Sequence, residues 1–330
     1  VLGARPHRAR RRAGARERVL VHGRIATGAK TNYRTFSPWV LGRVLPGIIS
    51  LTPPPLLAAG LATPTSPRGM IFCIDHGDTR ARLQAVVPLY KRHRAEPSAD
   101  VRAFLSWSLA YFNRMKDVSV VLPPHVAQWR GGDRTDIPAQ ASSYACEGDE
   151  IIATACDYYT KLGHPVLIVS TDKDLFQLIN PERHIYFWHY TKRRFVDDQG
   201  VHSILGVDRE QVVDLLTIQG DASDNIPGIP SFGKKRAVEV LKKYRTLEAV
   251  VAAAKDGTLS LKRLPKKALA DVIKFEERAR LIRDQAIVIR RLPEVEAELQ
   301  MLALPWSTPD RFAQTFAAAW QDQPVVLPRK

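Results

Sequence analysis

Eight carboxylates fall where the sequence changes from one element to the next: Asp75, Glu147, Asp149, Glu150, Asp172, Asp174, Asp221 and Asp224. Held together without counter-charge they would repel one another, and their protonation would split or rise. Divalent cations remove that cost. Carboxylates are hard oxygen donors suited to Mg2+ or Mn2+, ions that keep several waters in their coordination shell. Two such ions roughly 4 Å apart can position a hydroxide and stabilise the leaving oxygen in phosphodiester hydrolysis. Acids in place of His or Cys therefore point to metal-assisted hydrolysis. The plainer alternative is a set of solvated helix ends and turns, with residues 147–150 supplying favourable charge at a helix start.

The elements that must position these acids follow from periodicity. The run 166–170 (VLIVS) is short, apolar and β-branched, as expected of a buried parallel strand, so Asp172 and Asp174 lie where it leaves the sheet. In open α/β sheets ligands bind at that edge. Their side chains share a face only while strand alternation persists. Residues 70–74 read as another buried strand, closed by Asp75, and 118–122 as a third. A helix is expected over 147–161, a helix or irregular helix over 79–94, and a further one over 101–115 whose aromatic residues pack in the core. Residues 185–188 and 193–196 read as a short hairpin. Helical patterns follow over 208–216, 234–244 and 266–291, separated by the turn-rich segment 220–233. Asp221 and Asp224, three apart, are expected on one side of a helical turn. Alternating strands and helices followed by an all-helical part give an α/β class with a helical appendage.

Charge is distributed unevenly. Residues 1–74 hold twelve Lys or Arg against the single acid Glu17, so eleven of the fifteen net positive charges lie there and the rest of the chain is mildly basic. Such a balance favours anionic partners but says nothing of fold. The first 18 residues, Arg-rich and acid-poor, read either as an organelle-targeting segment, which would make the protein mitochondrial or otherwise organellar, or as a basic arm; a bacterial cytoplasm is the other location. Seven prolines between 38 and 67 exclude a regular helix or central strand across most of that stretch, although 19–23 reads as a short strand. Hydrophobic content of 45% without an uninterrupted apolar stretch of membrane-spanning length predicts a soluble chain with no membrane partner. Cys73, Cys146 and Cys156 lack zinc or disulfide spacing and are expected as buried thiols.

Three segments together resemble the 5'-nuclease family, the flap endonuclease and 5'-3' exonuclease domain found at the front of bacterial DNA polymerase I and as free-standing enzymes. They are 147–154 (EGDEIIAT), 170–174 (STDKD) and 220–237 (GDASDNIPGIPSFGKKRA), and the resemblance covers about residues 70–299. It implies a PIN-like, mostly parallel central sheet flanked by helices, with a helix-hairpin-helix (H3TH) region. It implies that the eight acids hold two Mg2+ or Mn2+ ions. Lys91 and Arg94, after Tyr90, would form the basic entry to a helical arch under which a single-stranded 5' end passes, contacting phosphate near the scissile bond. Arg82 is a further nucleic-acid candidate. Gly228 and Gly233 bracket a hairpin that, with Lys234, Lys235 and Arg236, would grip a duplex backbone through amides at a helix start, where the family sometimes places K+. The implied division is a divergent basic, Pro-rich region over 1–69, a nuclease-like α/β domain over 70–205, a helix-hairpin-helix DNA-binding region over 206–302 and a tail over 303–330.

The family's first strand ends in an Asp, whereas here His22 stands at the nearest match and no Asp precedes Asp75. An imidazole suits magnesium poorly and adds no negative charge. Glu150 replaces the usual Asp, and 123–143, with Trp129 and Arg130, looks inserted. Two functions follow: a metal-dependent 5'-nuclease acting on flapped or branched DNA, or a nuclease-derived scaffold binding DNA or structured RNA among nucleoprotein partners.

Overall fold

The computed structural model describes residues 19–23, 69–73, 79–94, 118–121 and 146–301. Asp75, the helix expected over 101–115, the loop 123–143, the basic start, the Pro-rich stretch and the tail after 302 lie outside the described residues.

A six-stranded sheet runs in the order β3-β2-β1-β4-β5-β6. Its strands are β1 (Val19–Gly23), β2 (Gly69–Cys73), β3 (Val118–Val121), β4 (Val166–Ser170), β5 (Ile185–His189) and β6 (Arg194–Val196). All neighbours pair in parallel except β5 and β6, the expected hairpin. Every residue of β4 is buried, as a strand covered on both faces requires. The order reverses between β1 and β4, because β2 and β3 extend the sheet one way from β1 and β5 and β6 the other way from β4. At such a switch point the connections leave on opposite sides and open a crevice at the strands' carboxyl ends. There His22 of β1 is in register with Val169 of β4, three residues before Asp172.

Eight α-helices surround the sheet or follow it among the described residues: α1 (Thr79–Val86), α2 (Gly148–Lys161), α3 (Asp198–Leu205), α4 (Val212–Gln219), α5 (Lys234–Tyr244), α6 (Leu247–Lys255), α7 (Ala268–Ile282) and α8 (Pro293–Met301). The helix or irregular helix expected over 79–94 is regular as far as Val86, two residues before Pro88, which disfavours helical backbone at Val87. The chain then turns, with Lys91 at φ 47°. Of the one or two helices expected over 266–291, the structure forms α7, which ends in one π-helical turn, Arg283–Ile287.

One apolar core runs from Ile71, Ile151 and Ile168 beneath the sheet through Leu215 and Ile218 to Leu241, Val250 and Ile282 in the helical part. Cys73, Cys146 and Cys156 are buried within it. No helix among the described residues is long and apolar enough to cross a membrane.

Candidate active site

Three peptide segments bring acids to the carboxyl edge beside β4. The first is the exit of β4 itself. Ser170 Oγ accepts from the Asp172 amide at 3.1 Å, and Asp172 Oδ1 accepts from the Asp174 amide at 3.1 Å. This Asx-type turn ends the strand's alternation and starts the 3-10 turn Asp174–Leu178, whose Leu175, Phe176 and Leu178 are buried. The same packing draws Asp174 inward, and its Oδ1 is buried without a hydrogen-bond partner among the described residues. Burial, then the neighbouring Asp172 and Asp221 carboxylates, hold the Asp174 carboxyl well above the ordinary aspartate range, against the opposing pull of Lys173.

The second segment is a small antiparallel ladder, β7 (Gly220–Asp221) with β8 (Ile226–Pro227). It corrects the expected helical turn: Asp221 and Asp224 sit at the start and near the end of a tight reversal closed by the Asp224 amide on the Asp221 carbonyl at 3.2 Å. Their side chains take separate partners. Asp221 Oδ1 accepts from the Ser223 amide at 2.8 Å and Ser223 Oγ at 2.6 Å, while Lys173 Nζ lies 3.1 Å from Oδ2. Burial acts to raise the Asp221 carboxyl, yet the Ser223 bonds and the Lys173 charge outweigh it and leave it below its usual value. The ladder demands glycine at two points. Gly220 has φ +77°, and a Cβ on Gly228 would sit 2.3 Å from the Gln219 carbonyl carbon.

The third segment is the start of α2. Glu147 Oε1 meets Lys91 Nζ at 2.5 Å, and the Tyr90 hydroxyl shares its one proton between Glu147 Oε1 at 2.9 Å and Asp224 Oδ2 at 3.1 Å. Lys91 Nζ is also 3.4 Å from Asp224 Oδ2, and Arg94 pairs with Asp224 Oδ1 and donates to the Ser223 carbonyl at 3.0 Å. Lys91 is 5% exposed, so it is no ordinary surface charge. Burial, then Glu147 and Asp224, push the Tyr90 phenol far up, so it stays a donor at physiological pH. Asp149, half-buried in the first turn of α2, is one cause of the raised Cys73 thiol, after burial and Cys156, which places it by the carboxyl end of β2.

Two expected site residues meet each other. Glu150 Oε1 is held by Arg82 at 2.9 Å and Arg290 at 2.6 Å, and its Oε2 accepts from the Glu147 amide at 2.9 Å. Both oxygens are engaged, and Arg82 directs its charge into Glu150. The added methylene of Glu150 lets one carboxylate close the helix start while reaching arginines from two distant segments.

At the other nucleic-acid candidates, Gly233 precedes α5 with open space around its α-carbon, and Lys234 and Lys235 are exposed. Arg236 instead donates to the Ser231 carbonyl at 2.7 Å and the Arg263 carbonyl at 3.2 Å. Ser231 has φ 71° and its hydroxyl bonds Asp271 of α7. Lys173, Ser223 and Arg290 were not foreseen. For Lys173 the signal was its place between two acids; Ser223 had the Asp-x-Ser spacing of a side-chain-closed turn.

Hard oxygen donors, with one buried and unpartnered at Asp174, suit a hydrated divalent ion. Among the described residues, however, no three acids, cysteines or histidines lie close enough to hold a common ion. Lys91 and Lys173 stand against the acids instead.

An α/β fold with carboxylates gathered beside its switch point is the class defined by sheet and site. The family model described as 5'-3' exonuclease, C-terminal SAM fold, matches residues 207–311. A flap endonuclease Xni from Shewanella amazonensis is 42% identical over 101 residues, 31% of this chain and 39% of that protein. Another from Shewanella loihica is 39% identical over 126 residues, 38% of this chain and 48% of its own length. DNA polymerase I of Synechocystis is 40% identical over 120 residues, covering 34% of this chain and 12% of the polymerase. The chain thus spans less than half the length of these relatives. In fold it is similar to T5 5'-exonuclease with bound divalent metal ions (zinc), at a TM-score of 0.54 and 18% identity, over 93% of this chain and 99% of that one. The bacteriophage T5 flap endonuclease in a pseudo-enzyme-product complex with DNA and metal ions gives 0.52 at 17% identity, over 92% and 100%. Residues 207–311 thus match a 5'-3' exonuclease family model, and the fold as a whole is similar to that of the T5 nucleases.

Proposed function

We propose that the chain is a metal-dependent, structure-specific 5'-nuclease that hydrolyses phosphodiester bonds in flapped or branched DNA by two-metal catalysis. The observation that carries this is the meeting of Glu147, Asp172, Asp174, Asp221 and Asp224, distant along the chain, with a buried carboxylate oxygen on Asp174 that has no hydrogen-bond partner among the described residues. The candidate ligands for Mg2+ or Mn2+ are Asp172, Asp174, Asp221, Asp224, Glu147 and Asp149, with Asp75 a further one from the sequence. Bound ions supply an activated water and charge neutralisation at the leaving oxygen.

The chain's own groups do the rest. Tyr90 holds Glu147 and Asp224 in place, and Lys91 and Arg94 offer charge to the phosphate beside the cut. Glu150 acts as the clamp on the acidic helix. The sheet serves as a PIN-like nuclease core, and the helices after residue 206 as a helix-hairpin-helix (H3TH) module. There Gly228 to Gly233, with Lys234 and Lys235 exposed, would grip a duplex backbone and offer carbonyls to K+.

The test is incubation of the full chain with a 5'-flap duplex in Mg2+ or Mn2+, beside an Asp172→Ala control. Cleavage lost in the control is the expected result; binding without product in either ion refutes it. That second outcome would favour a scaffold that binds DNA or structured RNA, a reading supported by His22 on β1 at the position where the resemblance implies an Asp.

A further inference from the structure

Resting on the metal-dependent reading above, we propose that Lys173 is the site's resident counter-cation: it yields Asp221 to an incoming divalent ion and then turns to the substrate phosphate. Asp221 is nearly fully buried, and its two oxygens are not equivalent. Oδ1 accepts two hydrogen bonds from Ser223, which fill its lone pairs. Any metal ligation by Asp221 must therefore use Oδ2, which is shielded from solvent and faces Lys173 Nζ at 3.1 Å in an ion pair.

An ion on Oδ2 would place a doubly charged centre within a few ångströms of the ammonium, a repulsion that the site's reduced dielectric amplifies. One cation has to leave. Lys173 is the one able to, since it begins a turn at the site's mouth and its side chain is 35% exposed, against 3% for Asp221. It stands between Asp172 and Asp174 in sequence and so stays beside the reaction centre once released. There its charge meets a phosphate oxygen. The exchange also accounts for the absence of a three-acid cluster among the described residues, since Lys173 and Lys91 hold the acids in its stead.

The experiment compares the wild-type chain with Lys173→Met, which keeps most of the side chain's length without its charge. Mn2+ affinity is measured without DNA by electron paramagnetic resonance of the free ion. Affinity for a 5'-flap duplex is measured in Ca2+ at several salt concentrations. The expected result is Mn2+ bound about five- to tenfold more tightly by the variant, with flap affinity several-fold weaker and a log–log salt slope smaller by about one. In the wild type, the rate of Lys173 acetylation, followed by mass spectrometry, should rise on adding Mn2+; this arm stands even if the variant fails to fold. Unchanged or weaker Mn2+ affinity in the variant, or acetylation indifferent to Mn2+, overturns the exchange while leaving the nuclease reading intact. Tighter Mn2+ with unchanged flap affinity removes the phosphate role. No Mn2+ binding by the wild type overturns both the exchange and the metal-dependent reading.

Discussion

Asp174→Asn should stabilise the protein in EDTA at neutral pH while abolishing cleavage. Asp174 is half-buried, its Oδ1 is buried with no partner among the described residues, and it lies beside Asp172 and Asp221, with Lys173 as the opposing charge. Taking separations of about 6 Å and an effective dielectric of about 20, each like-charged neighbour costs roughly 3 kcal/mol, and Lys173 offsets about one of the two. Screening reduces the remainder to about 1–3 kcal/mol, or about 2–8 °C in melting temperature for a chain of this size. A carboxyl raised in the folded state adds relative stability at low pH and loses it as pH rises through its folded value. The advantage of the amide is therefore greatest at neutral pH and shrinks as acid protonates the wild-type group. Thermal melts by circular dichroism at pH 7.5 and pH 5, in EDTA and in Mg2+, test each part. Mg2+ should raise the wild-type midpoint more than the variant's, since only the wild type keeps the full ligand set. A variant that melts below wild type in EDTA at pH 7.5, or a gain that does not shrink with acid, would refute the claim that these carboxylates strain against one another.

Four further outcomes are expected. Lys91→Met removes the cation between Glu147 and Asp224 and should cost about 3–5 kcal/mol in urea unfolding, as when one partner of a buried pair is lost. Glu150→Ala leaves Arg82 and Arg290 without their shared carboxylate and should cost about 2–4 kcal/mol, less at high salt because Arg290 is partly exposed; Glu150→Asp should recover part of it. Gly228→Ala should disrupt the β7–β8 reversal and lower both the melting temperature and flap binding, whereas Gly233→Ala, with open space at its Cβ, should leave the melting temperature within about 1 °C. The double change Lys234→Ala and Lys235→Ala should reduce the log–log salt slope of duplex binding by about two without altering Mn2+ affinity.

Local signals carried far. The apolar run 166–170 became β4 with the expected bounds, 234–244 became α5, and the hairpin of β5 and β6 followed from two short runs. These elements depend on nearest neighbours and on burial, both written in local composition. Asp221 and Asp224 were misplaced because their turn depends on β7 meeting β8, an approach set by the missing β-carbons of Gly220 and Gly228. Sequence spacing alone could not separate that reversal from a helix. Arg82 shows a different limit: its type predicts a charge, but its partner Glu150 lies 68 positions away, and only the packing of α1 beside α2 chooses between carboxylate and phosphate. Lys173 was passed over for the same reason, since Asp221 reaches it from another segment.

The place of β1 has a consequence for how the chain assembles. A strand of five residues lies between two neighbours drawn from residues 69–73 and 166–170, and shares no ladder with anything nearer. It has nothing to pair with until synthesis has passed residue 69, and its second edge stays open until residue 170 has emerged. Closing so long a loop costs conformational entropy before any contact returns it, so the sheet should complete late and slowly. The helices after residue 206 are joined by short connections and can form without that delay. An open edge at the middle of the sheet is where a truncated or stalled chain would be expected to aggregate.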